Sequence, residues 1–353
     1  MAQHRGYAFK TLKERALTLG SAAIGVTAFG VGLSAVFNPV ALAVVGTYAA
    51  LQIGSSLLLP IPAYRNWAFN QSVKKGHAEL VSEDTDIYRL TKEISDKLGR
   101  PVLPKIYTVD VSMVAKMVLP LGLRWVAKLK PVQEFLAEKA MPKVFAAIPG
   151  ANTMLTTKEA LAAKPPEAQM RFIVAHEMSH LKADFLSPPL YGKAILKKMS
   201  EPLMLALGAA LVLSIFGVGL PVTALGVGAM AAIKGGIALA AIKYASGAAI
   251  NFGQRLVEKR ADRNGLYITR DLESAKEVMD WLHEPSQKKP CSVLKEATLD
   301  HPSYTKRMAS LVTSFNAVAK YPPLQPTNDN AIPAPAEAKP SFFVEPPAPA
   351  LSR

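Results

Sequence analysis

Residues 170–183 read MRFIVAHEMSHLKA and contain the strongest signal in the sequence, His176-Glu177-Met178-Ser179-His180. Pro165-Pro166-Glu167 come just before it and predict the start of a helix that runs to about Asp184. Within such a helix His176 and His180 are four residues apart and share one face. The apolar residues ahead of the histidines predict that this helix is buried: Met170, Phe172, Ile173 and Val174.

Two imidazoles on one face of a helix supply two of the ligands that a tetrahedral zinc ion needs. Glu177 lies between them and could take a proton from a water that the metal activates. The pattern therefore predicts a catalytic zinc site with His176 and His180 as ligands. The alternative is an accidental pair of histidines, because a short motif alone is only a hypothesis.

A catalytic zinc ion usually has a third protein ligand from another element. A predicted helix at 252–264 offers Glu258 and Asp262, which are again four residues apart on one face. Glu258 is the natural ligand, and Asp262 can accept the remaining N–H of a ligand histidine and fix its tautomer. The alternative is a solvated helix face beside the basic residues Lys259, Arg260 and Arg263.

Four separated blocks of sequence together resemble the HtpX-like membrane metalloproteases, which are relatives of the CAAX prenyl proteases. The blocks are His176–His180, a two-span hairpin, Glu258–Arg263, and Asp300–Ser303 with Arg307, and the resemblance covers roughly 65–318. It implies one zinc per chain, held by His176, His180 and Glu258. It also implies Glu177 as the general base and Asp262 as the partner of a ligand histidine.

The same resemblance implies that His301 and Arg307 lie near the metal. There they could stabilise the oxyanion of the tetrahedral intermediate, or His301 could occupy the open zinc position in a resting state. The residues alone leave another reading for His301, which is a histidine in a turn before Pro302.

Two long apolar segments predict membrane spans. Ala16–Tyr64 has 49 residues without Lys, Arg, Asp or Glu, enough for spans at 17–37 and 40–61 with a turn at Asn38-Pro39. The alternative for this segment is a secretory signal peptide, since Ala41-Leu42-Ala43 resembles a cleavage box.

The second apolar segment predicts spans at 203–220 and 222–241, separated by Pro221. The later span must take Lys234 into or near the bilayer, which costs about 2.5–3.5 kcal/mol at the centre. The alternative is a hairpin that is buried in the protein or re-entrant.

The charge pattern predicts the orientation in the membrane. Basic residues flank the outer ends of both predicted hairpins and are missing from the turns inside them, so both termini and the polar segments face the cytoplasm. We therefore expect a multi-pass protein of the cell inner (plasma) membrane with lipid as a partner. The net charge of +14 then reflects basic residues beside anionic lipid, and nucleic-acid binding is not expected. A single cysteine, Cys291, excludes an intramolecular disulfide.

The remaining pattern predicts a mainly α fold with a small β-sheet, an α+β metalloprotease domain of the zincin type, plus transmembrane helices. Further helices are predicted at 82–98, 272–282 and 303–318, and strands at 105–110, 144–148 and 153–157. The basic, apolar segment 113–141 is either a surface for membrane or substrate or a helical insertion packed on the domain.

These elements divide the chain into six parts. They are a cytoplasmic N-terminus (1–15), a transmembrane hairpin (16–64), the first part of the protease domain (65–201), a second hydrophobic hairpin (202–250), the second part of the protease domain (251–320) and a Pro-rich tail (321–353). The tail has nine prolines in 33 residues and is expected to be disordered.

The sequence thus predicts a membrane-embedded, zinc-dependent endopeptidase that cleaves membrane or misfolded proteins at the cytoplasmic face. An extended substrate would pair with the strand region near 143–157. Two alternatives remain at this point: a CAAX-type prenyl protease, and a membrane scaffold without proteolytic activity whose zinc site is structural.

Overall fold

A computed structural model describes residues 12–36, 70–71, 73–98, 102–110, 129–139, 144–148, 152–183, 196, 200, 222–283, 285–299 and 301–321. The predicted spans at 40–61 and 203–220 lie outside these residues, as does the tail beyond Tyr321. Much of the 113–141 segment is also outside them, although its later part contains a helix at Lys130–Lys139.

The fold is mostly helical with one small mixed sheet, which confirms the predicted fold class. The helices are α1 (Leu12–Val36), α2 (Asp86–Lys97), α3 (Lys130–Lys139), α4 (Lys158–Ala162), α5 (Glu167–Ala183), α6 (Val222–Thr269), α7 (Leu272–Leu282), α8 (Val293–Thr298) and α9 (Tyr304–Val318). The strands are β1 (Ala78–Leu80), β2 (Lys105–Val109), β3 (Phe145–Ile148) and β4 (Thr153–Thr157).

The sheet has the strand order β1-β2-β4-β3, so β3 forms one of its edges. Strands β2 and β4 are parallel, whereas β3 and β4 form an antiparallel hairpin in which Ala147 lies opposite Met154. Asn152 in the hairpin turn has a φ of 47°, a conformation that asparagine tolerates better than most residues. The strands predicted at 105–110, 144–148 and 153–157 are confirmed; β1 has three residues, too few for a visible pattern.

Helix α5, which carries the two histidines, lies between two parts of the core. Val174 and Met178 are fully buried against α2 and the sheet. Phe172 and Ile173 are buried on another side, against residues of α6, α7 and α9. Because α5 is apolar on several sides, it is held at the centre of the domain and the histidine positions are fixed with it.

Helix α6 is longer than the sequence predicted. The span expected at 222–241 and the helix expected at 252–264 are joined in one continuous helix of 48 residues. No proline interrupts the chain between Pro221 and Pro285, and a change from apolar to polar composition does not by itself end a helix. One rigid element therefore carries both the apolar segment and the acidic pair Glu258 and Asp262.

Helix α1 packs antiparallel along α6. A Cβ added at Gly25 would meet the backbone oxygen of Ser246 at 2.7 Å, and one added at Gly32 would meet Ile242 at 2.8 Å. At the start of α1, Glu14 pairs with Arg263 at 3.2 Å. The two glycines therefore allow the close approach of the helices, as small residues do in membrane bundles.

Among the described residues, one helix segment, Ala16–Leu33, is long and apolar enough to cross a membrane. About a third of it (33%) is buried against the rest of the protein. Gly25 and Gly32 contact the middle of α6, and Phe29 and Leu33 pack with Leu239 at the end of the predicted span at 222–241.

Candidate active site

The two histidines of α5 converge on one point. Their Nε2 atoms are 3.1 Å apart, and their side chains are 10% and 13% exposed. The spacing of four residues puts both rings on the same face, as expected for a helix. The two Nε2 atoms are therefore placed to bind a common partner.

Glu258 reaches the same point from α6. Its carboxylate oxygens lie 3.6 Å from Nε2 of His176 and 3.7 Å from Nε2 of His180, and its side chain is buried. The ligand atoms of the three residues all lie within 4.8 Å of one another. Two imidazoles and one carboxylate form the donor set of a catalytic zinc site with an open position, so these residues fit a zinc ion.

The charge at the site also fits a cation. Burial lowers the pKa of His176, but the carboxylates of Asp262 and Glu258 beside its ring more than offset this and raise the pKa to about 10. Burial raises the pKa of Glu258, but the nearby charges of His301 and His180 leave this pKa well below its ordinary value. Buried negative charge thus favours a positive charge between these side chains, which a divalent metal ion would supply.

Asp262 lies behind His176 rather than beside the three donors. Its Oδ1 is 3.0 Å from Nδ1 of His176. Arg307, from α9, donates hydrogen bonds from Nε and Nη2 to the two oxygens of Asp262, each at 2.7 Å. Burial raises the pKa of Asp262, but the Arg307 charge more than offsets this and keeps the pKa below its ordinary value. The structure therefore links Arg307 to the histidine through Asp262.

Glu177 is buried beside the histidines and is fixed to the sheet. Its Oε2 accepts a hydrogen bond from the backbone N–H of Ala147 at 2.7 Å. Ala147 is in β3, so the carboxylate is anchored at an edge of the sheet as its four described strands form it. Sequence reasoning missed this backbone contact, because no side-chain pattern marks it.

His301 lies at the open side of the site, with 55% of its side chain exposed. Its Nδ1 is 3.0 Å from Oε2 of Glu258. The segment before it is held by Arg255, which donates to the backbone oxygens of Glu296 and Leu299 at 2.9 and 2.7 Å. The structure thus brings His301 to the third candidate ligand, while Arg307 lies deeper.

Sequence reasoning also missed residues that join α5 to α6. Asn264 donates to Ser179 at 2.8 Å inside the core. A Cβ at Gly265 would lie 3.0 Å from the ring of Phe172 and 3.6 Å from the backbone nitrogen of His176. Gly265 follows Glu258 by seven residues and so shares its helix face, which is a signal that could have identified it.

A cleft of about 660 Å³ opens over these residues. One wall is the β3 edge at Ala146 and Ala147. Another is the segment 285–299, through Cys291, Lys295 and Leu299. The apolar part of the lining includes four residues of α5 and α7: Phe172, Ile173, Val278 and Met279. The cleft is therefore open at the donor cluster, which is His176, His180 and Glu258, and no other described strand pairs with the β3 edge that borders it.

Comparison with known proteins agrees with this geometry. The model of peptidase family M48 matches residues 126–314, more than half of the chain, and includes every candidate site residue described above. Searches of curated proteins and of solved structures gave no match. From the family match, the chain belongs to peptidase family M48 and is a metal-dependent peptidase.

Proposed function

We propose that the protein is a membrane-embedded zinc endopeptidase that cleaves membrane or misfolded proteins at the cytoplasmic face. The observation that carries the proposal is the meeting of His176, His180 and Glu258 within 4.8 Å. Glu177 is next to them at the edge of the sheet. This combination of a three-residue donor set and an adjacent carboxylate is suited to peptide hydrolysis by an activated water.

The three donors would hold the metal, and Asp262 would keep His176 in the tautomer whose Nε2 lone pair faces it. A bound zinc ion would polarise the scissile carbonyl and lower the pKa of the attacking water to about 7. Glu177 would accept the proton of that water on its carboxylate and pass it to the leaving amine. Arg307 would act as a positioning residue, because its described hydrogen bonds go to Asp262.

The edge of β3 offers backbone hydrogen-bonding groups to which an extended substrate could add as a further strand. The N–H of Ala147 is directed to Glu177 in the cleft. Alternate residues of a strand direct their backbone groups to the same side, so Phe145 presents its backbone to the cleft as well. An extended segment adding to this edge would pass beside the donor cluster. His301, exposed at the mouth, would then donate to the oxyanion.

The placement in a membrane rests on the long apolar helices. Helix α1 contains the apolar segment Ala16–Leu33, and α6 has exposed apolar residues such as Ile233 and Ile237 in its first half. The basic residues that flank the apolar segments favour a cytoplasmic active site.

The test of the proposal compares the wild type with Glu177→Gln, purified in detergent without chelators. We expect about one zinc per chain in both proteins, because Glu177 is not in the donor set. Cleavage of an unfolded protein should fall by roughly 10²–10⁴-fold in the variant. The matched control is Glu167→Gln, an exposed glutamate on the same helix, which should keep full activity.

Four other results of this comparison would contradict or change the proposed function. Cleavage retained by Glu177→Gln would contradict the assignment of the base. Zinc in both proteins without any cleavage would favour the structural-zinc scaffold, and selective cleavage of a farnesylated peptide would favour the prenyl protease. Absence of zinc from both would contradict the metal site.

A further inference from the structure

The position of the active-site cleft along α6, relative to the apolar part of that helix, limits which polypeptides can enter the cleft. Glu258 is carried by the same uninterrupted helix as a series of exposed apolar side chains. Since a helix rises about 1.5 Å per residue, sequence separation on α6 gives distance along its axis directly.

Among the described residues of α6, the exposed large apolar side chains all precede Gly253: Met230, Ile233, Ile237, Tyr244 and Phe252. Phe252 is 43% exposed and precedes Glu258 by six residues, about 9 Å along the axis. The apolar surface of α6 thus ends close to the donor cluster.

The apolar surface of α1 begins at a similar level. Glu14 pairs with Arg263, and the helices run antiparallel, so Leu17 and Leu19 lie level with the turn of α6 that contains Glu258. Leu19, Ile24 and Val31 are 60%, 64% and 63% exposed. Helices α1 and α6 therefore both expose apolar side chains on the side of Glu258 that leads toward the start of α6.

The cleft wall formed by segment 285–299 lies on the same side of Glu258. Asn251 donates a hydrogen bond to the backbone oxygen of Ala297 at 3.4 Å. Arg255 donates hydrogen bonds to the backbone oxygens of Glu296 and Leu299. Asn251 and Arg255 precede Glu258 in α6 and lie on either side of Phe252 in sequence, so this wall is at the level where the apolar surface of α6 ends. It carries the exposed basic residues Lys289 and Lys295, which suit a surface of anionic headgroups.

We infer that the cleft opens at the bilayer surface and that the enzyme cuts polypeptides close to their own membrane anchor. This inference rests on the proposed function, whose substrate class it narrows. The 9 Å between Phe252 and Glu258 corresponds to about three residues of extended chain at ~3.3 Å each. A substrate held in the same bilayer would therefore present its first residues outside the membrane to the cleft, and we expect cuts within about ten residues of the anchor.

The first test measures depth and does not depend on proteolysis. In the full chain with Cys291→Ser, nitroxide labels are placed singly at Ile237→Cys, Phe252→Cys and Lys259→Cys, and the protein is reconstituted in vesicles with anionic lipid. We expect labels at 237 and 252 to be severalfold more accessible to oxygen than to a water-soluble nickel chelate. The ratio should be reversed at 259. A label at 252 that is exposed to the nickel chelate in vesicles would overturn the inference. Broadening of the nitroxide spectrum by labels on two neighbouring chains would also overturn it, because this surface would then be covered by a second copy.

The second test maps cleavage. A transmembrane helix is joined to a folded domain by a linker of about 40 residues, made of tandem copies of one peptide that the detergent-solubilised enzyme cuts. The control substrate has the same linker and domain without the transmembrane helix. We expect cuts near the anchor in the first substrate and even cutting in the second, and both should disappear in Glu177→Gln.

The outcomes separate the inference from the proposed function. Even cutting along both linkers would overturn the inference and leave the endopeptidase intact. If the detergent-solubilised wild type cuts no peptide from which the linker could be built, the proposed function is contradicted and the inference with it.

Discussion

Arg307 donates two parallel hydrogen bonds to the two carboxylate oxygens of Asp262, each 2.7 Å long, in the interior of the domain. The same carboxylate lies 3.0 Å from Nδ1 of His176. Helix α9 is thereby connected to the histidine of α5 through a residue of α6. The fork of the guanidinium matches a carboxylate in a way that a lysine ammonium does not.

The first prediction concerns this pair. Arg307→Ala should leave the buried charge of Asp262 without its partner and destabilise the protein by about 3–5 kcal/mol. Arg307→Lys should restore part of the stability, because it keeps the charge and loses the paired geometry. Thermal unfolding followed by circular dichroism in detergent would measure both changes.

The control for this measurement is Arg89→Ala. Arg89 also pairs with a carboxylate, that of Glu167 at 2.8 Å, but both side chains are about half exposed. Little change in the unfolding temperature is expected there. If Arg307→Ala were as stable as Arg89→Ala, the buried pair would have no role in holding α9 to α6.

The second prediction concerns the close approach of α5 and α6. Gly265→Ala would place a Cβ 3.0 Å from the ring of Phe172, tighter than normal contact. We expect a loss of about 1–3 kcal/mol from overpacking, seen as a lower unfolding temperature. Gly247→Ala on the same helix is the control, because its Cβ would lie 3.8 Å from Leu196.

Gly247→Ala should be neutral or stabilising by up to about 1 kcal/mol, since alanine is the better helix former. Equal effects at the two positions would show that the helices can separate without cost, and that the histidine of α5 is not held by this contact.

The sequence predicted the elements whose patterns are local. His176 and His180 share a face by helix geometry alone, and the strands β2, β3 and β4 have clear turns or breaks around them. The long helix α6 was divided in the prediction, because its change in composition at about residue 250 resembles a boundary. Nothing in local sequence shows that a helix continues through such a change.

The contacts between distant elements could not be predicted in the same way. The N–H of Ala147 that binds Glu177 is a backbone group, and its direction depends on how β3 pairs with β4. The role of Arg307 also depended on tertiary placement. The resemblance put it near the metal, whereas only the packing of α9 shows that its two hydrogen bonds go to Asp262.

The third prediction tests the third candidate ligand. Glu258→Ala should reduce bound zinc from about one per chain to near zero after dialysis, because two histidines alone would remain. Metal content is measured by inductively coupled plasma spectrometry on the same samples as cleavage. Glu277→Gln, an exposed glutamate on α7, serves as the control and should retain the metal.

An unchanged metal content in Glu258→Ala would mean that another residue supplies the ligand. His301 would be the first to examine, since its Nδ1 is 3.0 Å from Glu258 in the present arrangement. The double variant Glu258→Ala with His301→Ala would then lose the zinc that the single variant kept.

The fourth prediction concerns Glu296, which holds the segment leading to His301. Its Oε1 accepts the backbone N–H of Ser303 at 3.2 Å, and its Oε2 accepts the Cys291 thiol at 3.1 Å. We expect Glu296→Ala to lower kcat/KM by up to about 100-fold through misplacement of His301, with zinc content unchanged. Glu296→Gln should recover much of this loss, because its amide oxygen can still accept one of the two bonds. Glu273→Ala, at an exposed position of α7, should have no effect.

The charge of Glu296 also predicts how the stability that its hydrogen bonds with Ser303 and Cys291 contribute depends on pH. Burial raises the pKa of its carboxyl, but hydrogen bonds from Ser303 and Cys291 more than offset this and leave the pKa below the ordinary 4.5. A carboxyl with a lowered pKa in the folded state stabilises the protein fully above its unfolded pKa and loses that contribution as pH falls through the folded value. The difference in unfolding temperature between wild type and Glu296→Gln should therefore be largest near pH 7 and shrink below pH about 4.5. A difference that stayed constant from neutral to acidic pH would mean that the charge of Glu296 does not stabilise this segment.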